Sequence, residues 1–256
     1  MKVVILAGGF GTRISEESQL KPKPMVEVGG TPILRHIMKI YSHYGFNDFI
    51  ICAGYMQHVI KEYFANYYLH QSDVTFDFSN GGAMEVHNNV SEPWTVTIVD
   101  TGLNTLTGGR IKRIRPYLGE ETFLMTYGDG VSNVPIDKVV EYHQSHGKLA
   151  TLTAVHPEGR FGFMDMDMDY IISFREKHIM DSGWINGGFM VLEPSVCDYI
   201  DGDQISFEHE PLERLAKDGE LMAYKHSGFW KCMDTLRDKE SLEKIWASGS
   251  APWKVW

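Results

Sequence analysis

Residues 3–7 of this 256-residue chain, Val3-Val4-Ile5-Leu6-Ala7, form an unbroken apolar run that passes straight into Gly8-Gly9. A β-branched run without polar alternation predicts a strand buried on both faces, and such strands belong to parallel sheets covered by helices. The run is too short to be a secretion signal, and glycines and Arg13 follow it at once. A chain that opens this way must bury a sheet between two layers, and 256 residues suffice for that core.

The rest of the chain keeps the same rhythm. Residues 33–44 predict a helix, with Ile33, Leu34, Ile37, Met38 and Tyr41 on one face. Strands are expected at 48–52, 95–99, 123–127 and 149–155, and helices at 59–68, 109–118 and 134–146. This alternation predicts an α/β fold with a mostly parallel sheet covered on both faces. Residues 70–93 interrupt it with the turn cluster Ser79-Asn80-Gly81-Gly82 and with Pro93, and read as an insertion serving oligomer contacts. Beyond residue 155 a hairpin is expected at 161–174, strands at 185–192 and 221–225, and helices at 208–217 and 235–246.

Composition narrows the function. A formal net charge of -10 leaves little to gain from releasing counterions, which argues against a nucleic-acid partner. No apolar stretch is long enough to span a membrane. Cys52, Cys197 and Cys232 are too few and too far apart for a disulfide framework or a zinc site, so a reduced, cytoplasmic setting is expected.

The segment Leu6-Ala7-Gly8-Gly9-Phe10-Gly11-Thr12-Arg13 carries the strongest chemical signal. Glycines after a buried strand let backbone N–H groups approach phosphate, and Arg13 offers a guanidinium to phosphate oxygens. The dinucleotide fingerprint fails because Ile14 stands at its third glycine. The P-loop fails because Thr12 and Arg13 follow Gly11. A dehydrogenase is therefore a poor reading. Lys21-Pro22-Lys23-Pro24 follows, where each proline is expected to hold the preceding lysine extended.

Together these segments resemble the opening signature of the sugar nucleotidylyltransferases. Further resemblance lies in Thr107-Gly108-Gly109-Arg110, in Thr126-Tyr127-Gly128-Asp129-Gly130, and in Gly228-Phe229-Trp230 through Asp234-Thr235. It extends from Met1 to Lys254 and is nearest to the branch that uses CTP and glucose 1-phosphate. The resemblance implies a Rossmann-like sheet flanked by helices, with a smaller β-rich sugar-binding lobe. It implies one domain, 1–256, with a nucleotide-binding half of about 1–130 and a sugar-phosphate half of about 131–256.

The resemblance also assigns residues. Lys23 falls at the catalytic lysine, with Arg13 as its cationic partner. Leu6, Ala7, Gly8, Gly9, Gly11, Thr12, Thr105, Arg110, Gly128 and Asp129 fall in the nucleotide pocket, with Arg110 as candidate for reading the cytosine carbonyl. Asp129 and Asp234 match the magnesium (Mg2+) ligands; read alone, they would be an Asp-Gly turn and a helix N-cap. Gly162, Glu176, Lys177, Asn186 and Gly187 match sugar-phosphate contacts, although His178 replaces the family's proline. A homo-oligomer, in the form of a hexamer, and the supply of CDP-linked deoxysugars to surface polysaccharide such as O antigen are likewise implied. UTP or dTTP in place of CTP, and an inactive sugar-nucleotide sensor, remain alternatives.

Two other patterns are discounted. Asp165, Asp167 and Asp169 alternate with methionines, but Tyr170 stands where a calcium loop needs glycine, so an acidic strand face is expected. His36, His43, His143 and His146 lack metal-like pairing and read as structural or surface residues.

Overall fold

The computed structural model describes residues 1–14, 21–157, 163–167, 170–175 and 183–256, with backbone alone for Arg13 and for the strands within 163–175. In chain order the elements are β1 (Val3–Leu6), β2 (Glu27–Val28), β3 (Thr31–Pro32), α1 (Ile33–His43) and β4 (Asp48–Ala53). Then come α2 (Gln57–Ala65), α3 (Tyr67–His70), β5 (Asp73–Asp77), β6 (Ala83–His87) and β7 (Thr95–Asp100). Next are α4 (Thr107–Arg113), α5 (Arg115–Leu118), β8 (Phe123–Tyr127), β9 (Gly130–Ser132), α6 (Ile136–His146) and β10 (Ala150–Val155). The chain ends with β11 (Phe163–Asp167), β12 (Tyr170–Arg175), β13 (Ile185–Asn186), β14 (Met190–Leu192), α7 (Glu210–Lys217), β15 (Leu221–His226), β16 (Trp230–Cys232) and α8 (Leu236–Ala247).

The main sheet has eight strands in the order β13-β10-β14-β8-β1-β4-β7, with β15 also on β10. β1 lies parallel between β4 and β8, and β4 pairs parallel with β7. β14 is antiparallel to both β8 and β10, while β15 runs parallel to β10. Both halves of the chain therefore contribute to one mostly parallel sheet.

The β1 run explains its own central place. Side chains alternate across a strand, so an all-apolar run fills both faces. Val3 and Ile5 enter one core with Ile33, Ile37 and Tyr41 of α1. Val4 and Leu6 enter the other with Ile111, Ile114 and Val196. The apolar face expected for α1 is buried in full, and His36 and Ile40 are buried with it.

Three expected elements prove to be divided. The helix expected at 59–68 is two, because Asn66 ends α2 and its Nδ2 donates to the Glu62 carbonyl at 2.9 Å. The helix expected at 109–118 begins earlier and breaks between Arg113 and Arg115, since Pro116 has no N–H to continue the ladder. The strand expected at 185–192 is interrupted at 187–189, where Gly188 and Phe189 have φ of 76° and 45°. That break lets β13 stay on β10 while β14 moves between β10 and β8. The interruption at 70–93 holds the β5/β6 hairpin, which lies off the main sheet. β11 and β12 form the expected second hairpin; the side chains of its acidic face lie outside the described residues.

Candidate active site

The carboxyl ends of β1 and β8 open onto a cavity of about 450 Å³ lined by residues 6–12, Lys23, Thr105, Arg110, Tyr127, Gly128 and Asp129 among others. Open α/β sheets place ligand sites at this end of their strands. Gly128 is obligatory there, because a Cβ would lie 2.9 Å from both the Leu6 carbonyl and Pro24 Cγ. Gly8 is equally constrained, since a Cβ would meet Arg110 at 2.1 Å. Among the described residues nothing approaches a Cβ at Gly9, and Gly11 has φ of 66°.

At the mouth of the cavity, Lys23 Nζ donates to Asp129 Oδ2 at 2.6 Å and to Asp234 Oδ1 at 2.7 Å. Three separate pieces of local structure bring these groups together. Lys23 opens a single 3-10 turn, Lys23–Met25, closed by Val26 N–H donating to the Lys23 carbonyl at 3.1 Å. The expectation of an extended Lys23 is thus corrected: Pro24 sits within the first turn, where its missing N–H costs nothing. Pro22 does keep the extended conformation. Asp129 lies between β8 and β9, and β9 pairs antiparallel with β16. That ladder ends with Met233 N–H donating to the Asp129 carbonyl at 2.8 Å, which sets Asp234 beside Asp129.

The N-cap of α8 is Thr235, whose hydroxyl accepts from Asp238 N–H while Asp238 accepts from Thr235 N–H. This capping box replaces the N-cap reading of Asp234 and leaves the Asp234 carboxylate to face Lys23. Burial lowers the proton affinity of the Lys23 ammonium, but the charges and hydrogen bonds of Asp129 and Asp234 outweigh it. The lysine pKa ends above its ordinary value.

Arg110 lines the cavity wall with only 3 % exposure. Its Nη1 donates to the Ala53 and Gly102 carbonyls and to Thr101 Oγ1, and its Nη2 to the Gly8 and Leu103 carbonyls. The guanidinium thus ties together the end of β4 and the loops after β1 and β7. In this conformation its two terminal nitrogens are engaged by the protein rather than presented to a base.

The Thr107-Gly108-Gly109 segment has a packing role that sequence reasoning missed. The loop at 203–207 presses on the start of α4. Leu106 N–H donates to the Asp203 carbonyl, and Gly108 N–H to Ile205, each at 2.9 Å. A Cβ on Gly109 would lie 2.5 Å from the Asp203 backbone. Asn186, expected at the sugar, donates to Tyr127 Oη at 3.0 Å, and Gly187 accepts from Trp230 Nε1 at 2.8 Å. Gly162, Glu176 and Lys177, with His178 and the Arg13 side chain, lie outside the described residues.

Two carboxylates converging within 2.6 and 2.7 Å of one cationic centre form an oxygen-donor set that suits magnesium. Among the described residues no cluster of three or more His, Cys, Asp or Glu could hold a metal ion. The pair would therefore need substrate oxygens or water to complete a shell. His36 Nε2 donates to the Val28 carbonyl within the core, and His143 contacts Thr151 and Glu193, consistent with structural roles.

A glycine-walled cavity with a lysine and two aspartates at its mouth, on a mostly parallel sheet, suits a nucleotide-transferring enzyme. The chain belongs to the nucleotidyl transferase family, whose model matches residues 2–235. It is 59 % identical, over 257 aligned residues and the whole of both chains, to the glucose-1-phosphate cytidylyltransferases of Salmonella typhi and Salmonella typhimurium. Among solved structures it resembles a UDP-glucose pyrophosphorylase complexed with UDP-glucose, at TM-score 0.70 and 16 % identity, covering 97 % of this chain and 98 % of that one. The last likeness concerns the fold.

Proposed function

We propose that the chain transfers the cytidylyl group of CTP to α-D-glucose 1-phosphate, giving CDP-glucose and pyrophosphate. The meeting of Lys23, Asp129 and Asp234 at the mouth of the glycine-walled cavity carries this reading. The full-length identity to the Salmonella cytidylyltransferases supports CTP and glucose 1-phosphate as the substrates.

A sugar 1-phosphate is nearly dianionic at neutral pH, its second pKa being about 6, so no general base is required. A phosphate oxygen of glucose 1-phosphate attacks the α-phosphorus of CTP as the bond to pyrophosphate breaks. The task of the protein is alignment and charge balance. Backbone N–H groups at 8–12 cradle the triphosphate. Lys23 and Arg13 offset the charge that develops on the leaving pyrophosphate. Asn186 and Gly187, with Gly162, Glu176 and Lys177, hold the acceptor. Asp129 and Asp234 would hold magnesium, which when bound neutralises phosphate charge and fixes the reactants.

Thr105 and Arg110 stand in the nucleotide wall, where Arg110 reads the cytosine carbonyl once a loop carbonyl releases one of its N–H groups. The chain works as one domain with nucleotide and sugar-phosphate halves. It works as a homo-oligomer, of hexameric form, supported by the exposed Phe76, Phe78 and Met84 on the β5/β6 hairpin. A cytoplasmic location is supported by the free Cys52, Cys197 and Cys232. Among the described residues no helix is long and apolar enough to cross a membrane.

The test is pyrophosphate release with glucose 1-phosphate and magnesium, comparing CTP, UTP, dTTP, ATP and GTP. Release with CTP well above the others is expected. Release with another nucleotide would overturn the base assignment, and none with any nucleotide would overturn the reaction.

A further inference from the structure

A hydrogen-bond chain runs from β13 through the end of β8 to the start of α4. Asn186 Nδ2 donates to Tyr127 Oη at 3.0 Å, and Tyr127 Oη donates to Glu208 Oε1 at 2.8 Å. The other oxygen of Glu208 accepts from Thr107 Oγ1, which itself accepts from Phe207 N–H at 2.9 Å. Asn186 Oδ1 accepts from Gly188 N–H at 2.9 Å. Tyr127 lies next to Gly128-Asp129, and Thr107 opens the helix that carries Arg110.

The polarity of this chain has one solution. A carboxylate can only accept, so both hydroxyls must donate to Glu208. The Tyr127 oxygen must then accept from Asn186, and Gly188 holds the amide oxygen from the other end. One amide hydrogen and one carbonyl lone pair of Asn186 remain for a ligand, in a set order.

We infer that Glu208 is a positioning residue, which fixes the side-chain amide of Asn186 for the sugar hydroxyls and ties that amide to the start of the nucleotide-side helix. The inference rests on the proposed reaction and on Asn186 meeting the sugar. It assigns a role to a residue that no sequence motif marks. Glutamine at 208 could donate as well as accept. Tyr127 would then be free to donate toward Asn186, and the amide could flip.

The experiment measures KM for glucose 1-phosphate and for CTP in Glu208→Gln, in Tyr127→Phe and in the double variant, alongside thermal unfolding. Tyr127→Phe removes one oxygen, leaves the Glu208–Thr107 contact, and carries the test alone if Glu208→Gln does not fold. For Tyr127→Phe, KM for glucose 1-phosphate should rise about tenfold, the scale of one hydrogen bond, with KM for CTP changed far less. The double variant should be no worse toward glucose 1-phosphate than the worse single variant, because both act through one chain. Multiplying effects, or an unchanged KM for glucose 1-phosphate in a folded Glu208→Gln or in Tyr127→Phe, would overturn the inference. Wild-type enzyme without pyrophosphate release would instead overturn the reaction on which it rests.

Discussion

Lys23 and Asp234 stand 211 positions apart in the chain, and their side chains meet at 2.7 Å. Asp129 closes the group from the other side at 2.6 Å. One cation between two carboxylates leaves the trio with a net negative charge, which a bound divalent ion would reverse, making the site attractive to a polyanionic triphosphate.

Lys23→Ala should lower kcat by about a hundredfold to a thousandfold, the effect of losing one preorganised charge at a reacting phosphate. It also leaves Asp129 and Asp234 facing each other without their shared cation. Magnesium should therefore raise the melting temperature more in Lys23→Ala than in the parent chain, since a ligand that binds only the folded state stabilises it. Differential scanning fluorimetry with and without magnesium reads this apart from activity. Equal shifts would mean that Lys23 does not compete for the same oxygens.

Asp234→Asn and Thr235→Ala should separate chemistry from folding at adjacent positions. Asp234→Asn should abolish most turnover at ordinary magnesium, with partial recovery as magnesium is raised. Thr235→Ala should cost about 1 kcal/mol of stability through the lost cap, with turnover nearly retained. Urea unfolding and steady-state rates on both variants make the comparison.

Gly109→Ala and Gly9→Ala should behave oppositely. Alanine gains about 1 kcal/mol over glycine inside a helix. At Gly109 a Cβ would stand 2.5 Å from the Asp203 backbone, and overpacking against backbone costs more than the helix gains. Its melting temperature should fall. At Gly9 no atom among the described residues lies within 4 Å of a Cβ, so stability should hold while CTP affinity drops. Melting curves and CTP titration calorimetry test the pair.

His36 should make stability depend on pH. It is buried against Trp246, Trp253 and Trp256 and contacts the Val28 carbonyl at 2.8 Å. Burial lowers its pKa below the ordinary imidazole value, and Arg35 nearby adds to this, although the Val28 contact opposes it. The unfolded chain therefore binds a proton that the folded chain resists. Stability from this group is present above about pH 6.5 and is lost as pH falls from there toward the lower folded value. His226, likewise lowered by burial, acts in the same direction. Urea midpoints at pH 5 and pH 8 should differ less in His36→Gln than in the parent chain.

Much of this molecule was legible in local pattern. The β1 run, the α1 stripe and the glycine loop each act within a few residues, where side-chain period and backbone sterics decide the outcome. Lys23, Asp129 and Asp234 were found through resemblance, since each alone reads as an ordinary loop or cap residue. The link between Tyr127 and Glu208 escaped notice because the two lie 81 positions apart and nothing near Glu208 in the chain hints at its partners. The division at Asn66 and the break at 187–189 were missed because a competing side-chain bond and a change of sheet neighbour outweigh local propensity.

The sequence by itself determined the α/β class, the covered and mostly parallel sheet, the glycine loop after its first strand and the enzyme family. Tertiary structure alone decided which groups meet: that Lys23 lies between two aspartates, that Arg110 braces the end of β4 and the loops after β1 and β7, and that Glu208 joins Tyr127 to Thr107. Periodicity is a property of neighbours along the chain. A contact between residues 106 or 211 positions apart depends on strand order, and strand order is settled only when the whole core packs.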